Sequence, residues 1–205
     1  MIKYPLPLLF ISLCIAGCTP PVREENKPET SAFYEIFPVL VDTFHYDNRR
    51  MLYELTNDTL KLDSLARDTT AIVIAIRDTL EHLKDDDYLR LHDHLKALSK
   101  EVDSILEDTL RILELSGLKA SDKRIKFLPI SSFPKGFAFW KTKYSFHLSA
   151  KFFFSNILFS KDKTHGLLHV GYVCGPYTCG EGFRVYVKRD GDGWAIEKVE
   201  EMWAM

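Results

Sequence analysis

Residues 166–202, GLLHVGYVCGPYTCGEGFRVYVKRDGDGWAIEKVEEM, carry the clearest structural pattern in the chain. Apolar residues recur at every second position in parts of it, which is the pattern of half-buried β-strands. In the first two predicted strands, the residues that share one face are Leu168, Val170, Tyr172, Phe183, Val185 and Val187. The sequence DGDG at 190–193 is typical of a tight hairpin connection. The stretch therefore predicts antiparallel strands joined by short turns.

The strand-like composition extends outward from this stretch over residues 120–205. That part of the chain contains ten of the fourteen phenylalanines and all three tryptophans. Short β-like runs separated by turn residues are predicted at 124–128, 146–159, 166–173, 183–188 and 194–202. We therefore expect an antiparallel meander of four to five strands in this region.

The chain before residue 120 is predicted to be mainly helical. Residues 32–47 have apolar side chains at helical spacing, and Pro38 inside the run would kink or divide the helix. The predicted stripe consists of Phe33, Ile36, Phe37, Leu40, Val41 and Phe44. Residues 48–70 fit no single element. The β-branched run at 71–76 is as compatible with a buried strand as with a helix.

A heptad pattern runs through residues 87–115. Its positions, four and three residues apart, are Leu91, Leu95, Leu98, Val102, Ile105, Thr109 and Ile112. Additional leucines widen the apolar stripe, which favours one long helix, or two, packed on the rest of the domain. A coiled coil with a partner is the alternative. Gly117 would end the helix.

Together these patterns predict an α+β fold, in which N-terminal helices pack on a C-terminal antiparallel sheet. The mainly helical region is 32–119 and the sheet region is 120–205. Because the whole chain has 205 residues, we expect 32–205 to form one domain.

The first 31 residues have a different character. Lys3 precedes a short apolar run at 6–15, and Ala16, Gly17 and Cys18 follow it. This is the pattern of a bacterial lipoprotein signal, in which residues 1–17 are removed and Cys18 is linked to lipid. The apolar run has about half of the ~20 residues that a membrane span needs. Residues 18–31 are polar and contain proline, so we expect a lipidated flexible tether.

Four cysteines are present, of which Cys14 would leave with the signal and Cys18 would carry lipid. Export would place the remaining pair, Cys174 and Cys179, in an oxidising compartment. A disulfide across this short loop is therefore predicted, with a stabilisation of about 2 kcal/mol. Two free buried thiols are the alternative. The C-x-x-C spacing of redox-active motifs is absent.

Composition and motifs argue against several kinds of function. The formal net charge of −2 and the pI of about 6.4 give no basic field for nucleic acid. His165 and His169 would lie ~13 Å apart on a strand, too far to share one ion. No metal or cofactor is therefore expected. The motifs G-x-S-x-G, H-E-x-x-H and the P-loop are absent, and no catalytic residue is predicted.

An ordered series of motifs runs through residues 136–205. It comprises WKTKY at 140–144, FHLS at 146–149, SNI at 155–157, CG at 174–175, CGEGFR at 179–184 and GW at 193–194. The series resembles uncharacterised lipoproteins of the Bacteroidetes type, and this resemblance implies no activity. The last hairpin is also similar to the end of nuclear-transport-factor-like α+β domains, which bears on fold alone.

A second pattern belongs with this resemblance. Asp followed by Ser or Thr is found at 58–59, 63–64, 68–69, 78–79, 103–104 and 108–109. It is similar to the O-glycosylation sequence of exported proteins in such bacteria, and Thr59 and Ser64 lie in the least regular segment. The alternative is that these residues cap helices.

We expect a membrane-anchored lipoprotein of the cell envelope, held by lipid at Cys18, that binds an envelope protein or glycan without catalysis. The candidate contact loop is 174–183 with Tyr177, Glu181 and Arg184, since Tyr and Arg are common interface anchors. The alternative for this loop is that it only closes a hairpin. Two other functions stay open: an envelope hydrolase or glycan-processing enzyme with carboxylates that no motif reveals, and an assembly factor acting through the heptad helix.

Overall fold

The computed structural model describes residues 27–100, 105–107, 112–176 and 179–205. The helices are α1 (Lys27–Phe44), α2 (Asn48–Leu55), α3 (Thr59–Ala66), α4 (Asp85–Ala97) and α5 (Ala138–Lys141). The strands are β1 (Ile72–Ile76), β2 (Ile105–Glu107), β3 (Ile125–Pro129), β4 (His147–Phe154), β5 (Leu158–Ser160), β6 (His165–Val173), β7 (Gly180–Asp190) and β8 (Gly193–Ala204). The predicted signal and Cys18 lie outside the described residues, and the last five residues of the predicted tether begin α1.

The eight strands form one mixed sheet. Strand β6 pairs with β7 along one edge and with β4 and β5 in succession along the other, and β8 pairs with β7. The hairpin predicted at 190–193 is present, because Asp190 pairs with Gly193 and Gly191 adopts a φ of +59°. This positive φ favours glycine. Helices together with a sheet give an α+β architecture, as predicted.

The prediction of a simple antiparallel meander of four to five strands is wrong. Strand β1 comes from the N-terminal half of the chain and lies between β3 and β4, parallel to both. Strand β2 pairs with β5, and the run predicted at 146–159 is divided into β4 and β5. A local pattern of side chains predicts a strand but not its partner. Ile72 pairs with Ile125 and His147, which are far away in sequence.

One face of the sheet is covered by α1. All six residues of the predicted stripe are buried: Phe33, Ile36, Phe37, Leu40, Val41 and Phe44. Pro38 lies inside the helix and does not divide it. The rings of Phe33 and Phe37 each lie 5.5 Å from the ring of Phe154, and Phe44 stacks on Phe183 at 4.6 Å. These contacts belong to one apolar core that extends from β1 to β8.

The opposite face carries two separate apolar clusters. Helix α4 covers the first, which consists of Leu83, Leu91, Leu95, Leu158, Leu167 and Tyr186. Helix α5 and the turn before it cover the second, which consists of Val73, Ala75, Phe133 and Phe139. This face is therefore covered in two patches, whereas α1 covers the other face with one continuous core.

The long heptad helix predicted over 87–115 does not form. Helix α4 ends at Ala97, Ser99 has a φ of +56°, and Ile105 belongs to strand β2. A positive φ is outside the helical region, so the helix cannot continue through this position. Leu91 and Leu95 are buried against the sheet. Val102 and Thr109 lie outside the described residues, and Gly117 ends a short 3-10 turn.

The two ambiguous segments of the sequence have defined structures. Residues 48–70 contain α2 and α3, which are preceded by aspartate caps: Asp47 accepts a hydrogen bond from the Arg49 amide, and Asp58 from the Lys61 amide. The run at 71–76 contributes the buried strand β1. Among the helices that the structure describes, none is both long and apolar enough to cross a bilayer.

Candidate functional site

A groove of about 580 Å³ lies beside the N-terminus of α4, on the sheet face opposite α1. Its floor is formed by Phe153 of β4, Gly171 of β6, Gly182 of β7 and Trp203 of β8. Its rim and wall include Arg77, Glu81, His82, Lys84, Asp86 and Asp87. This volume lies within the ~300–1,000 Å³ that small-ligand pockets occupy. We call Phe153, Gly171, Gly182 and Trp203 the aromatic shelf.

Two rings of the aromatic shelf lie directly on the backbone of paired glycines. Gly171 and Gly182 are opposite each other on β6 and β7. A Cβ atom on Gly182 would be 1.9 Å from Nε1, 2.2 Å from Cε2 and 2.6 Å from Cδ1 of Trp203. A Cβ atom on Gly171 would be 2.6 Å from both Cδ2 and Cε2 of Phe153. Only glycine permits these approaches, so the two glycines are part of the site.

The orientation of Trp203 leaves one ring face available. Cδ1, Nε1 and Cε2 are consecutive ring atoms and all lie close above Gly182, so the ring is flat on the strand. The residue is nevertheless 38% exposed. The guanidinium of Arg77 lies 5.1 Å from the centre of the Phe153 ring, within the range of a cation–π contact. The shelf therefore combines an outward aromatic face with a cation at its end.

An ionic network centred on Asp87 forms one wall of the groove. Asp87 is 2% exposed, and its Oδ1 accepts hydrogen bonds from His169 Nε2 at 2.8 Å and from Arg184 Nε and Nη2 at 3.0 and 2.9 Å. Arg184 also contacts Asp86 at 3.2 Å and Glu200 at 3.3 Å. A buried carboxylate is costly unless it is paired and hydrogen-bonded in this way. The network therefore fixes α4 on β6 and β7.

The sequence at the start of α4 explains why Asp87 is available for this network. Three consecutive aspartates, 85–87, occupy the first turn, where negative charge is favourable. Oδ2 of Asp87 accepts a hydrogen bond from the Lys84 amide at 2.9 Å, which caps the helix. One oxygen of Asp87 thus closes the first turn of α4, and the other contacts the sheet.

Burial and hydrogen bonding have opposite effects on the pKa values in this wall. Burial alone would raise the pKa of Asp87, but the Lys84 amide, His169 and Arg184 lower it by a larger amount. Burial lowers the pKa of His169, although Asp87 opposes this effect. An ionised carboxylate only accepts hydrogen bonds, so the neutral imidazole of His169 carries its proton on Nε2. Burial, with the charge of Glu200, raises the pKa of Tyr186 to about 12.

The structure describes two of the three residues predicted for the contact loop, and it places them on opposite faces of the sheet. Arg184 lies on β7 and lines the groove. Glu181 lies on the same strand, opposite Tyr172 of β6. Residues three apart on a strand point to opposite faces, so Glu181 is on the α1 side of the sheet. Tyr177 lies outside the described residues, and the prediction for it stays untested.

Cys174 and Cys179 form the predicted disulfide between the ends of β6 and β7, with their Cα atoms 5.2 Å apart. The Cys174 amide also donates a hydrogen bond to the Cys179 carbonyl at 2.8 Å. The Cys174 carbonyl accepts a hydrogen bond from Asn48 Nδ2 at 3.2 Å, which connects this loop to the start of α2. The two ends of the loop are thus joined covalently, and Cys174 is hydrogen-bonded to the start of α2.

The side chains of the aromatic shelf and Asp87 were not predicted as site residues. Gly171 and Gly182 were the available signal, because glycine inside a strand often marks a close approach of another group. The patterns in the sequence do not single out Asp87. Its contact with Arg184 joins residues 97 positions apart, and no local pattern reports such a pairing.

The candidate glycosylation residues Thr59 and Ser64 lie on α3 and are exposed. Asp58, which precedes Thr59, accepts a hydrogen bond from the Lys61 amide at 3.1 Å and forms the helix cap. This contact agrees with the capping alternative for the Asp-Thr pair. Modification of Thr59 and Ser64 stays a prediction.

A second cavity of about 650 Å³ lies at the C-terminal end of α1, between α2, α3 and residues 121–125. Its carboxylates are Asp42, Asp47, Glu54, Asp63 and Asp122. Arg49 contacts Asp47 at 2.8 Å, and Arg124 contacts Asp122 at 2.6 Å. Burial would raise the pKa of Asp47, but hydrogen bonds from His147 and Arg49 have the larger effect and lower it. Arg124 lowers the pKa of Asp122. A general acid needs a raised pKa, which neither carboxyl has.

Among the described residues, no three His, Cys, Asp or Glu side chains are placed to hold a metal ion together. His165 and His169 lie on the same strand, and His169 is bonded to Asp87. Comparisons of this chain with protein-family models, with curated proteins and with solved structures each give no match.

Proposed function

We propose that the chain is a membrane-anchored lipoprotein of the cell envelope that binds an envelope protein or glycan in the groove beside α4, without catalysis. The observation that supports this proposal most is the aromatic shelf, in which Trp203 lies flat on Gly182 and is still 38% exposed. Aromatic side chains with an exposed face are frequent anchors of binding sites. The rim adds polar groups that can orient a ligand.

The anchor in this proposal is a lipid on Cys18. Its support is the sequence before Cys18, with an early cation, a short apolar run and small residues. The disulfide between Cys174 and Cys179 supports export, because such bonds persist in oxidising compartments. The resemblance of residues 136–205 to uncharacterised Bacteroidetes-type lipoproteins belongs to the same proposal.

The groove supports binding because its best-defined feature is the exposed aromatic side chain of Trp203. In its wall, His169 and Arg184 each donate hydrogen bonds to Oδ1 of Asp87 at 2.8–3.0 Å. These contacts hold α4 on the sheet. The hydrolase alternative has less support in the second cavity, since the pKa values of Asp47 and Asp122 are both lowered.

The assembly-factor alternative also has less support than binding in the groove. It needs a long helix with an exposed heptad surface. Helix α4 ends at Ala97, and its seam residues Leu91 and Leu95 are 0% and 1% exposed. Their apolar side chains are therefore used inside this fold.

A photocrosslinker placed in the groove tests the proposed binding site. Met202 lines the groove and is 41% exposed, and p-benzoylphenylalanine at this position inserts into C–H bonds of either protein or glycan. Val39 on α1 is 38% exposed and provides a matched control on the other side of the sheet. Irradiation of intact envelopes should give adducts from position 202 and none from position 39. No adduct from position 202, or equal adducts from both, contradicts the proposed site.

The anchor is tested by the intact mass of the chain purified from its own membranes without reductant. The expected mass corresponds to a chain that begins at Cys18, carries lipid there and retains the disulfide between Cys174 and Cys179. The Cys18→Ala variant should lack lipid and leave the membrane fraction. An unprocessed N-terminus with two free thiols contradicts both export and the proposed location.

A further inference from the structure

We infer that the ligand of the groove is an uncharged saccharide, one ring of which stacks on the outward face of Trp203; this inference rests on the function proposed above. A pyranose ring has C–H groups on one face and hydroxyl groups around its edge. The face of an aromatic ring carries partial negative charge and attracts such C–H groups. The groove therefore has to supply a flat aromatic face with polar groups around it.

The aromatic shelf supplies the flat face. The Trp203 ring lies on Gly182, and its Cζ2 atom would be 3.4 Å from a Cβ on Gly171. The Phe153 ring covers the other side of Gly171. The two rings thus flank one glycine and extend the platform from β8 across β7 and β6 to β4. A side chain at either glycine would displace a ring from this platform.

The rim supplies polar groups without a net charge. Three cations line the groove, Arg77, Lys84 and Arg184, and so do three carboxylates, Glu81, Asp86 and Asp87. Arg77 pairs with Glu81, and Arg184 contacts Asp86 and Asp87. The exposed members of these pairs, Arg77, Glu81 and Asp86, present donors and acceptors to hydroxyl groups. Because the charges are equal in number, the rim favours a neutral ligand over an anionic or cationic one.

The floor of the groove is poorly suited to an extended peptide. Peptides often bind a sheet by adding a strand to a free backbone edge. Strands β6 and β7 form the middle of the floor, and each is paired along both edges: β6 with β4 and β7, and β7 with β6 and β8. Their ladder hydrogen bonds are used within the sheet. The middle of the floor therefore offers ring faces and side chains rather than backbone groups.

Binding of saccharides to the whole chain in detergent tests this inference. The probes are maltohexaose, mannohexaose, cellohexaose and chitotetraose, together with the neutral oligosaccharides released by mild acid from the envelope of the producing cells. Tetragalacturonate is the charged comparison. We expect a neutral probe to bind and to change the tryptophan fluorescence. Trp203→Ala should weaken that binding by about tenfold or more, the effect of losing a central aromatic anchor.

Two further variants separate stacking from misfolding. Phe137 is 40% exposed and lies outside the groove, so Phe137→Ala should bind as the parent chain does. Trp203→Phe retains an aromatic face and should recover part of the affinity that Trp203→Ala loses. Near-ultraviolet circular dichroism of each variant should show that the fold is retained.

The outcomes distinguish this inference from the proposed function. Failure of every neutral probe, preference for tetragalacturonate, or unchanged binding by Trp203→Ala overturns the saccharide assignment. If position 202 then crosslinks to a polypeptide in envelopes, the groove binds protein, and the proposed function stands without the saccharide. If position 202 also gives no adduct, both proposals are wrong.

Discussion

The two faces of the sheet differ in how they are covered, although the same strands form both. On the α1 face, Phe33, Ile36, Phe37, Leu40 and Val41 are all 0% exposed and belong to one apolar core. On the α4 face, two apolar clusters remain separate, and the groove wall contains the buried carboxylate of Asp87. The first face is closed by packing, whereas the second is closed in part by charged hydrogen bonds.

This difference indicates that one face of the sheet mainly stabilises the fold and the other is available for binding. Apolar burial is the dominant favourable contribution to folding, and the α1 face supplies most of it. Ionic contacts contribute less reliably, since desolvation opposes them. The α4 face can therefore leave strand residues uncovered for a ligand, because the stability of the fold depends chiefly on its other side.

The largest effect should come from truncating the α1 face. Phe37 is 0% exposed, and its ring lies 5.0 Å from Phe127 and 5.5 Å from Phe154. Phe37→Ala should lower the free energy of unfolding by about 4 kcal/mol, the cost of a large cavity in a core. Phe153→Ala, on the partly exposed groove floor, should cost about 1–2 kcal/mol. Urea unfolding measures both values. Equal losses of unfolding free energy in the two variants would show that the two faces do not differ in their contribution to stability.

A smaller effect should follow from Asp87→Asn on the α4 face. The variant removes a buried charge that accepts hydrogen bonds from His169 and Arg184. Arg184 retains contacts with Asp86 and Glu200, so we expect a loss at the low end for buried ion pairs, about 3 kcal/mol at pH 7. If Asp87→Asn lowers the free energy of unfolding by less than the loss of an exposed ion pair would, the network contributes little to stability.

The same variant gives a prediction for pH. The pKa of Asp87 is lowered in the folded state, so the unfolded chain binds the proton more readily. The stabilisation is therefore complete above the unfolded-state pKa of about 4 and is lost as the pH falls through the folded-state pKa. The difference in unfolding free energy between the parent chain and Asp87→Asn should shrink when measured at pH 3. A constant difference from pH 7 to pH 3 contradicts the role of the charge.

The disulfide lies at the ends of β6 and β7, and these two strands contribute residues to both faces of the sheet. Replacing Cys174 and Cys179 together with alanine should lower the free energy of unfolding by about 2 kcal/mol, as the chain-entropy estimate gives for a short loop. The hairpin should persist, because β6 and β7 pair along their whole common length, from His165 with Lys188 to Val173 with Gly180. Hydrogen exchange of β6 amides in the double variant measures this, and general loss of protection would show that the hairpin depends on the bond.

The smallest effect on stability should come from Gly182→Ala, with a clear effect on the aromatic shelf. The new Cβ would lie 1.9 Å from Nε1 of Trp203, so the ring must move. Because Trp203 is partly exposed, we expect a cost of only about 1 kcal/mol. Gly193→Ala is the matched control, since apart from its two chain neighbours no residue has an atom within 4 Å of its Cβ position. Tryptophan fluorescence should change in Gly182→Ala and not in Gly193→Ala. An unchanged spectrum of Gly182→Ala would contradict the position of the Trp203 ring on Gly182.

The sequence predicts local features of this fold well. Alternating apolar residues identify β6 and β7 because one side of each strand faces the α1 core. The stripe from Phe33 to Phe44 identifies α1 for the same reason, and all six of its predicted residues are buried. Each pattern depends on neighbours in sequence that share one buried side.

The remaining features depend on contacts between distant residues. The pattern of β1 indicates a buried element but carries no information about its parallel partners. The heptad spacing continues past Ala97, whereas the helix ends there and Ser99 adopts a positive φ. In the groove, Arg184 was predicted as a contact residue, but the pairing that places it, with Asp87, joins two halves of the chain.

The central position of β1 has a consequence for the order in which the chain folds. Ile72 pairs with Ile125 and His147, so β1 is synthesised long before either neighbouring strand exists. Strands β6, β7 and β8 are joined by short connections and should form first, since distant pairings require costly loop closure. We expect pulsed hydrogen exchange to show protection in β6–β8 before β1. A sheet whose strands β6–β8 fold first would remain incomplete, with β1 unpaired, until those later strands have been synthesised.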